Sequence, residues 1–165
     1  MAMFTAESVG RVHARALPGA VRNDVAGGAV MTSGYSGTPL AKKLGIKEGH
    51  TVALLGAPEG FVDLLEGLPP MVELRTRASG RLDVVVSFHG QRRDLERRVP
   101  TVLKAMRKDG GWWVAWPKRA SGVPTDITED TVRDVFLPHG LVDNKVCAID
   151  ETWSGLRVVW RRENR

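Results

Sequence analysis

The chain has little cysteine and little histidine: one Cys, Cys147, and four His in 165 residues. A single thiol excludes an internal disulfide framework and fits a reducing compartment. Residues so few and so scattered show no zinc-ligand spacing, and no metal is expected. Long apolar runs are missing too, for no stretch approaches the roughly 20 residues that cross a bilayer. The first residues also lack the continuous apolar stretch of about 7–15 residues that marks a secretory signal. These absences predict a cytoplasmic chain without a membrane segment.

Apolar residues make up 42% of the chain and charged ones 26%, a balance suited to one domain with a substantial core. The formal net charge is +5, and much of the basic excess falls in pairs: Arg92-Arg93, Arg97-Arg98 and Arg161-Arg162. Such a surface attracts anions without specifying nucleic acid, which stands as a lesser alternative through the basic segment 91–108. Residues 1–33 mix Ala, Gly and Val without a sustained period and read as a flexible leader, or as sequence upstream of a start at Met31. An organelle-targeting reading, suggested by Arg11, Arg15 and Arg22, carries less weight. The ordered domain is placed at 34–165.

Within that domain, Thr38 and Pro39 suit a helix start and Gly45 a left-handed close. Val52 to Leu55 is a continuous apolar run ended by Gly56, as expected of a strand covered on both faces. Pro58 and Glu59 open a predicted helix with Phe61, Leu64 and Leu65 on one face. Val72 to Leu74 and Leu82 to Val86 read as the second and third strands. Leu95, Val99, Val102, Leu103 and Met106 recur at helical spacing, with Pro100 expected to kink or split that helix. Gly110-Gly111 breaks the pattern before a fourth strand, Trp112 to Trp116. Asp126 and Glu129 fit a capping box for a helix carrying Ile127, Val132, Val135 and Phe136. Two closing strands, 145–149 and 156–160, share a link too short for anything but an antiparallel pair. The expected architecture is α/β: a Rossmann-like, mostly parallel sheet with a C-terminal antiparallel hairpin.

This order resembles class I methyltransferases, which also close their sheet with an antiparallel hairpin. A nearer resemblance rests on four runs. They are Gly34-Tyr35-Ser36-Gly37-Thr38-Pro39-Leu40-Ala41-Lys42-Lys43-Leu44-Gly45, Val114 to Lys118, Ser121 to Asp126, and Asp150 to Leu156. They are similar to a bacterial domain family of unknown function over roughly residues 34–162. That resemblance implies membership and no activity. The methyltransferase-like order implies a sheet running 2-1-3-4-6-5, with a switch point between strands one and three. Ligands of such sheets bind at the carboxyl ends of strands beside the switch.

On that rim the reading places Gly56, Pro58 and Gly60 after strand one, and Ser87 and His89 after strand three. Trp116, Lys118, Ser121 and Asp126 follow strand four, and Asp150, Glu151 and Trp153 sit at the hairpin tip. Lys118 is the natural partner for a phosphate or carboxylate, with Ser121 and Thr125 as hydroxyl donors. The expected ligand is therefore a small anion or a protein partner, bound without an evident catalytic set and with no cofactor specified. The alternative is a diverged transferase using Lys118, Asp150 and His89. Against it, Pro58 removes an amide donor from the glycine turn, and Glu59 adds a negative charge there. Where an acidic residue would hold a ribose, this chain has Arg75, Thr76 and Arg77. Cys147 and most of the five Trp residues read as core. Only about six residues separate strands two and three, so strand two is either very short or antiparallel.

Overall fold

The computed structural model describes residues 38–165. The leader and Gly34 to Gly37 of the first motif lie outside the described residues. Six strands form one sheet: β1 (Thr51–Leu55), β2 (Glu73–Arg75), β3 (Leu82–Phe88), β4 (Met106–Pro117), β5 (Leu141–Ala148) and β6 (Trp153–Trp160). Their order is β2-β1-β3-β4-β6-β5, as the methyltransferase-like reading expects. The β2-β1-β3-β4 part is parallel, while β4-β6-β5 is antiparallel.

Strand alternation divides the core in two. Leu55, Val85, Trp112, Val114 and Leu156 face α2 (Arg92–Ala105) and α3 (Glu129–Phe136), packing on Leu95, Val99, Val102, Val132 and Phe136. Leu54, Val86, Trp113 and Ala115 face the other way, toward Ala41 and Leu44 and the buried Phe61 and Leu65. That second face is covered by α1 (Leu40–Lys43), a 3-10 turn at Phe61–Leu64 and loops. Trp113 Nε1 donates to Leu44 O at 2.9 Å, which fastens α1 to the sheet.

Strand two proves very short and parallel, so Arg75 stays on the rim side. Glu73 lies level with Thr51 and Arg75 level with Ala53. The chain therefore has little height to lose before β3, and six extended residues reach about 20 Å. Ala78, in that link, packs on the α2–α3 side.

Local structure departs from the sequence reading at several places. Pro100 does not split α2, which runs unbroken over 14 residues. Pro100 is exposed, so the carbonyl that its ring leaves without an N–H can face water while Val99 and Val102 hold the helix to the sheet. The turn after β1 is a 3-10 helix rather than an α-helix, with Leu64 exposed. Thr128 caps α3 in a reciprocal box with Thr131, displacing the expected Asp126 and Glu129. Finally, Pro39 rather than Thr38 is the N-cap of α1.

β4 begins at Met106, where the reading expected helix. It advances from Met106 to Gly111 while β3 advances only from Leu82 to Val84. Gly110 sits in this irregular stretch, where a Cβ would come 2.8 Å from Asp83 O. Only glycine fits that close approach.

Candidate functional site

The strand-end rim is built by pairing. Leu55 lies level with Ser87, Phe88 with Ala115, and Pro117 with Trp153. The loops carrying Pro58, Lys118 and Asp150 therefore leave the same end of the sheet. Lys118 N–H donates to Thr152 O at 2.7 Å, joining the Lys118 loop to the hairpin tip. Gly56 turns with φ +67°, and a Cβ there would lie 3.3 Å from Phe88 O, so the β1 turn presses on the end of β3. Gly56 and Gly60 are exposed and Pro58 is half-buried.

Several of the polar rim groups are engaged in holding loops. Ser121 Oγ donates to Lys118 O at 2.7 Å and accepts from Val123 N–H. Asp126 Oδ1 accepts from Arg92 N–H at 2.7 Å, and so supplies the first turn of α2 with a partner from another loop. Thr125 Oγ1 donates to Gly90 O at 2.8 Å, a tie that the Asx and Ser spacing alone did not single out. Asp150 Oδ1 accepts from both Thr152 and Trp153 N–H at 2.8 Å, closing the hairpin turn. Glu151 is exposed at the tip, so Asp150 and Glu151 do not form a paired-carboxylate site. Lys118 is a half-buried residue whose side chain makes no hydrogen bond or ion pair among the described residues.

Two aromatic placements alter the expected site. Trp116 is 7% exposed and belongs to the core on the α2–α3 side. Trp153 is half-buried and meets Phe88 edge-on at 5.0 Å, while Phe88 meets Phe61 at 4.9 Å. These rings fill the space under the rim on the α1 side.

His89 is a buried residue, not the accessible base that a strand-end position suggested. Trp112 Nε1, a donor only, points at Ser87 Oγ at 2.8 Å. Ser87 Oγ also lies 2.8 Å from His89 Nε2, and His89 Nδ1 lies 3.5 Å from Asp94 Oδ2. With Trp112 donating to Ser87, Ser87 donates to Nε2 and the ring proton lies on Nδ1, which faces the Asp94 carboxylate without a hydrogen-bond partner. At 3.5 Å that last contact is an ion-pair distance rather than a good hydrogen bond. Burial lowers the His89 pKa; Asp94 raises it and Arg98 lowers it by lesser amounts. The order Ser–His–Asp resembles a nucleophile relay, but Ser87 Oγ is fully buried and holds an indole, so no substrate reaches it. Ser87 and His89, two apart on one strand face, were the sequence signal for this network.

Arg75 Nε donates to Glu73 Oε2 at 2.9 Å and its Nη1 to Ser79 O at 2.8 Å, so the guanidinium folds back onto its own loop. Cys147 is half-buried against the α1-side core, and burial raises its pKa. Among the described residues, no group of three or more His, Cys, Asp or Glu is placed to hold a metal, and no helix is long and apolar enough to cross a membrane.

The fold defines the class: a Rossmann-like α/β sheet of methyltransferase-like topology. Among solved structures it is similar to Aeropyrum pernix fibrillarin in complex with natively bound S-adenosyl-L-methionine. That match has a TM-score of 0.52 and 16% identity, covering 80% of this chain and 73% of that one. It is also similar to the ribosomal protein L11 methylase of Lactobacillus delbrueckii subsp. bulgaricus, with a TM-score of 0.50 and 12% identity, covering 74% of this chain and 75% of that one. No family model and no curated protein matches the chain. At these identities the likeness shows the fold.

Proposed function

We propose that this chain is a diverged methyltransferase-like protein whose strand-end rim binds a small ligand through an anionic group, with Lys118 as its partner. The observation that carries this reading is the meeting of the Gly56–Gly60 turn, the end of β3, the Lys118 loop and the hairpin tip beside the β1–β3 switch point. Open α/β sheets take ligands there. Gly56, Pro58, Gly60, Lys118, Glu151 and Trp153 would surround the ligand, with Trp116, Ser121, Asp126 and Asp150 supporting the loops from beneath. Membership in the bacterial domain family that the four motif runs resemble is part of the same proposal.

S-adenosylmethionine fits this rim incompletely. The exposed glycines let a ligand approach the backbone, but Pro58 offers no amide, and Arg75 stands where a ribose would ask for a carboxylate. The test is thermal stabilisation by S-adenosylmethionine, S-adenosylhomocysteine and a set of nucleotides, each at saturating concentration. A rise of more than about 2 °C with one member, lost in Lys118→Ala, supports the reading. Flat melting curves across the panel overturn it.

A second reading, binding of a ligand or partner without reaction, is favoured by one observation: His89 is buried and Asp150 Oδ1 is held by two backbone N–H groups, so of the three only the Lys118 side chain makes no hydrogen bond among the described residues. Transfer of a labelled methyl group from S-adenosylmethionine to any acceptor would exclude it.

A further inference from the structure

A concave surface lies away from the rim, on the α1 side of the sheet. It is a cleft of about 390 Å³ lined by Lys43, Lys47, His50, Asp83, Lys145 and Arg157, over a floor that includes Leu44 and Val84. Its volume falls within the range of small-molecule sites. The lining brings four formal positive charges, those of Lys43, Lys47, Lys145 and Arg157, against the negative charges of Asp83 and Asp109. Both acids are already engaged: Asp83 Oδ2 accepts from Thr51 N–H at 2.8 Å, and Arg107 Nε lies 3.4 Å from Asp83 Oδ1 and 3.2 Å from Asp109 Oδ1. Of these cations, Lys47, Lys145 and Arg157 make no side-chain hydrogen bond or ion pair among the described residues, and the lining keeps a net positive charge.

Arg157 is the centre of this arrangement. It projects from β6 directly opposite Lys145 of β5, so the two cations share one face of the hairpin. Its guanidinium lies on Gly111, where a Cβ would come 2.6 Å from Nε and Nη2; glycine is what lets the plane settle there. The side chain is half-buried, yet among the described residues it makes no hydrogen bond or ion pair. Burial, and then repulsion by Arg165, lowers its pKa. A half-buried guanidinium with free N–H donors beside other cations is well matched to an anion that takes those donors. His50 adds a donor, because its Nδ1 accepts from Lys47 N–H at 3.1 Å and the neutral ring then carries its proton on Nε2.

We propose that this cleft binds a small phosphorylated ligand, whose phosphate oxygens are taken bidentately by Arg157 and flanked by Lys47, Lys145 and His50. The site is independent of the rim and stands or falls without it. Titration with inorganic pyrophosphate, followed by calorimetry and by melting temperature, tests it on the full chain. The wild type should bind, and Arg157→Gln should weaken binding about tenfold or more, the loss expected for a charge-assisted pair. Lys104→Gln, which removes the same charge from the exposed face of α2, should bind as the wild type does. Should Arg157→Gln not fold, Lys145→Gln at an exposed strand position provides the same reading with a loss of several-fold. Equal affinity of the cleft variants and the wild type overturns the proposal. So does a melting shift reproduced by sodium chloride at matched ionic strength. An RNA oligonucleotide that binds through Arg157 while pyrophosphate neither binds nor competes overturns it in favour of nucleic acid.

Discussion

The strand-end rim and the cleft of this molecule treat their polar side chains in opposite ways. At the rim, Ser121, Thr125, Asp126 and Asp150 each hold a backbone group of a neighbouring turn, and Lys118 is left as the unengaged cation. In the cleft, Lys47, Lys145 and Arg157 hold nothing among the described residues, and the two acids beside them are held by Arg107 and Thr51. Topology points to the rim as the place for a ligand, whereas unmet hydrogen-bonding capacity points to the cleft. A polar side chain already satisfied by backbone is a poor guide to binding, whichever end of a sheet it sits on.

The largest expected effect lies beneath the rim. Ser87→Ala removes the hydroxyl between Trp112 Nε1 and His89 Nε2 and leaves both buried groups without partners. A loss of about 2–3 kcal/mol is expected, read as a lower denaturant midpoint at unchanged slope. A loss under about 0.5 kcal/mol would mean that water enters the network, and that the rim floor is open. The same network sets a pH dependence. The His89 pKa is lowered in the folded protein, so the unfolded chain binds more protons as pH falls below about 6.5. Stability is then full above that value and declines below it. His89→Gln should flatten the decline; an unchanged pH slope in that variant would locate the titrating group elsewhere.

Next in size is the hairpin tip. Asp150→Ala leaves the Thr152 and Trp153 N–H groups without their acceptor, at an expected cost of about 1–2 kcal/mol. Asp150→Asn keeps an acceptor and should recover most of the loss. If both variants melt alike and lose ligand binding together, Asp150 acts on the ligand rather than on the turn. Thr128→Ala, which removes the cap of α3, should cost about 1 kcal/mol and leave the rim and the cleft unchanged.

The strand order was readable because it rests on strong signals: the apolar runs at Val52–Leu55 and Leu82–Val86, and the glycines that end segments. What escaped the sequence depends on contacts between distant residues. Pro100 breaks no helix because Leu95, Val99 and Val102 are held by the sheet, a tertiary effect stronger than the local one. Asp126 looked like a cap for the helix after it and instead supplies α2, 34 residues earlier in the chain. His89 looked accessible at a strand end, but the first turn of α2 covers it with Asp94. Arg157 carried no local mark at all, since its meaning depends on Gly111 in another strand.

The smallest expected effect separates the two surfaces most cleanly. Arg157→Met keeps the stem that packs beside Gly111 and deletes a half-buried charge with no ion-pair partner among the described residues. Removing a buried charge from a satisfied pair destabilises, but removing a half-buried one that has no ion-pair partner and is repelled by Arg165 relieves repulsion and desolvation. The melting temperature of this variant should therefore stay within about 2 °C of the wild type or rise. The opposite direction is expected of Asp150→Ala, although both residues sit in or beside the same hairpin. A clear fall in Arg157→Met would mean that the guanidinium already has a partner within the full chain. The contrast between an engaged rim and an unanswered cleft would then be lost, because both surfaces would be held together by their own polar groups.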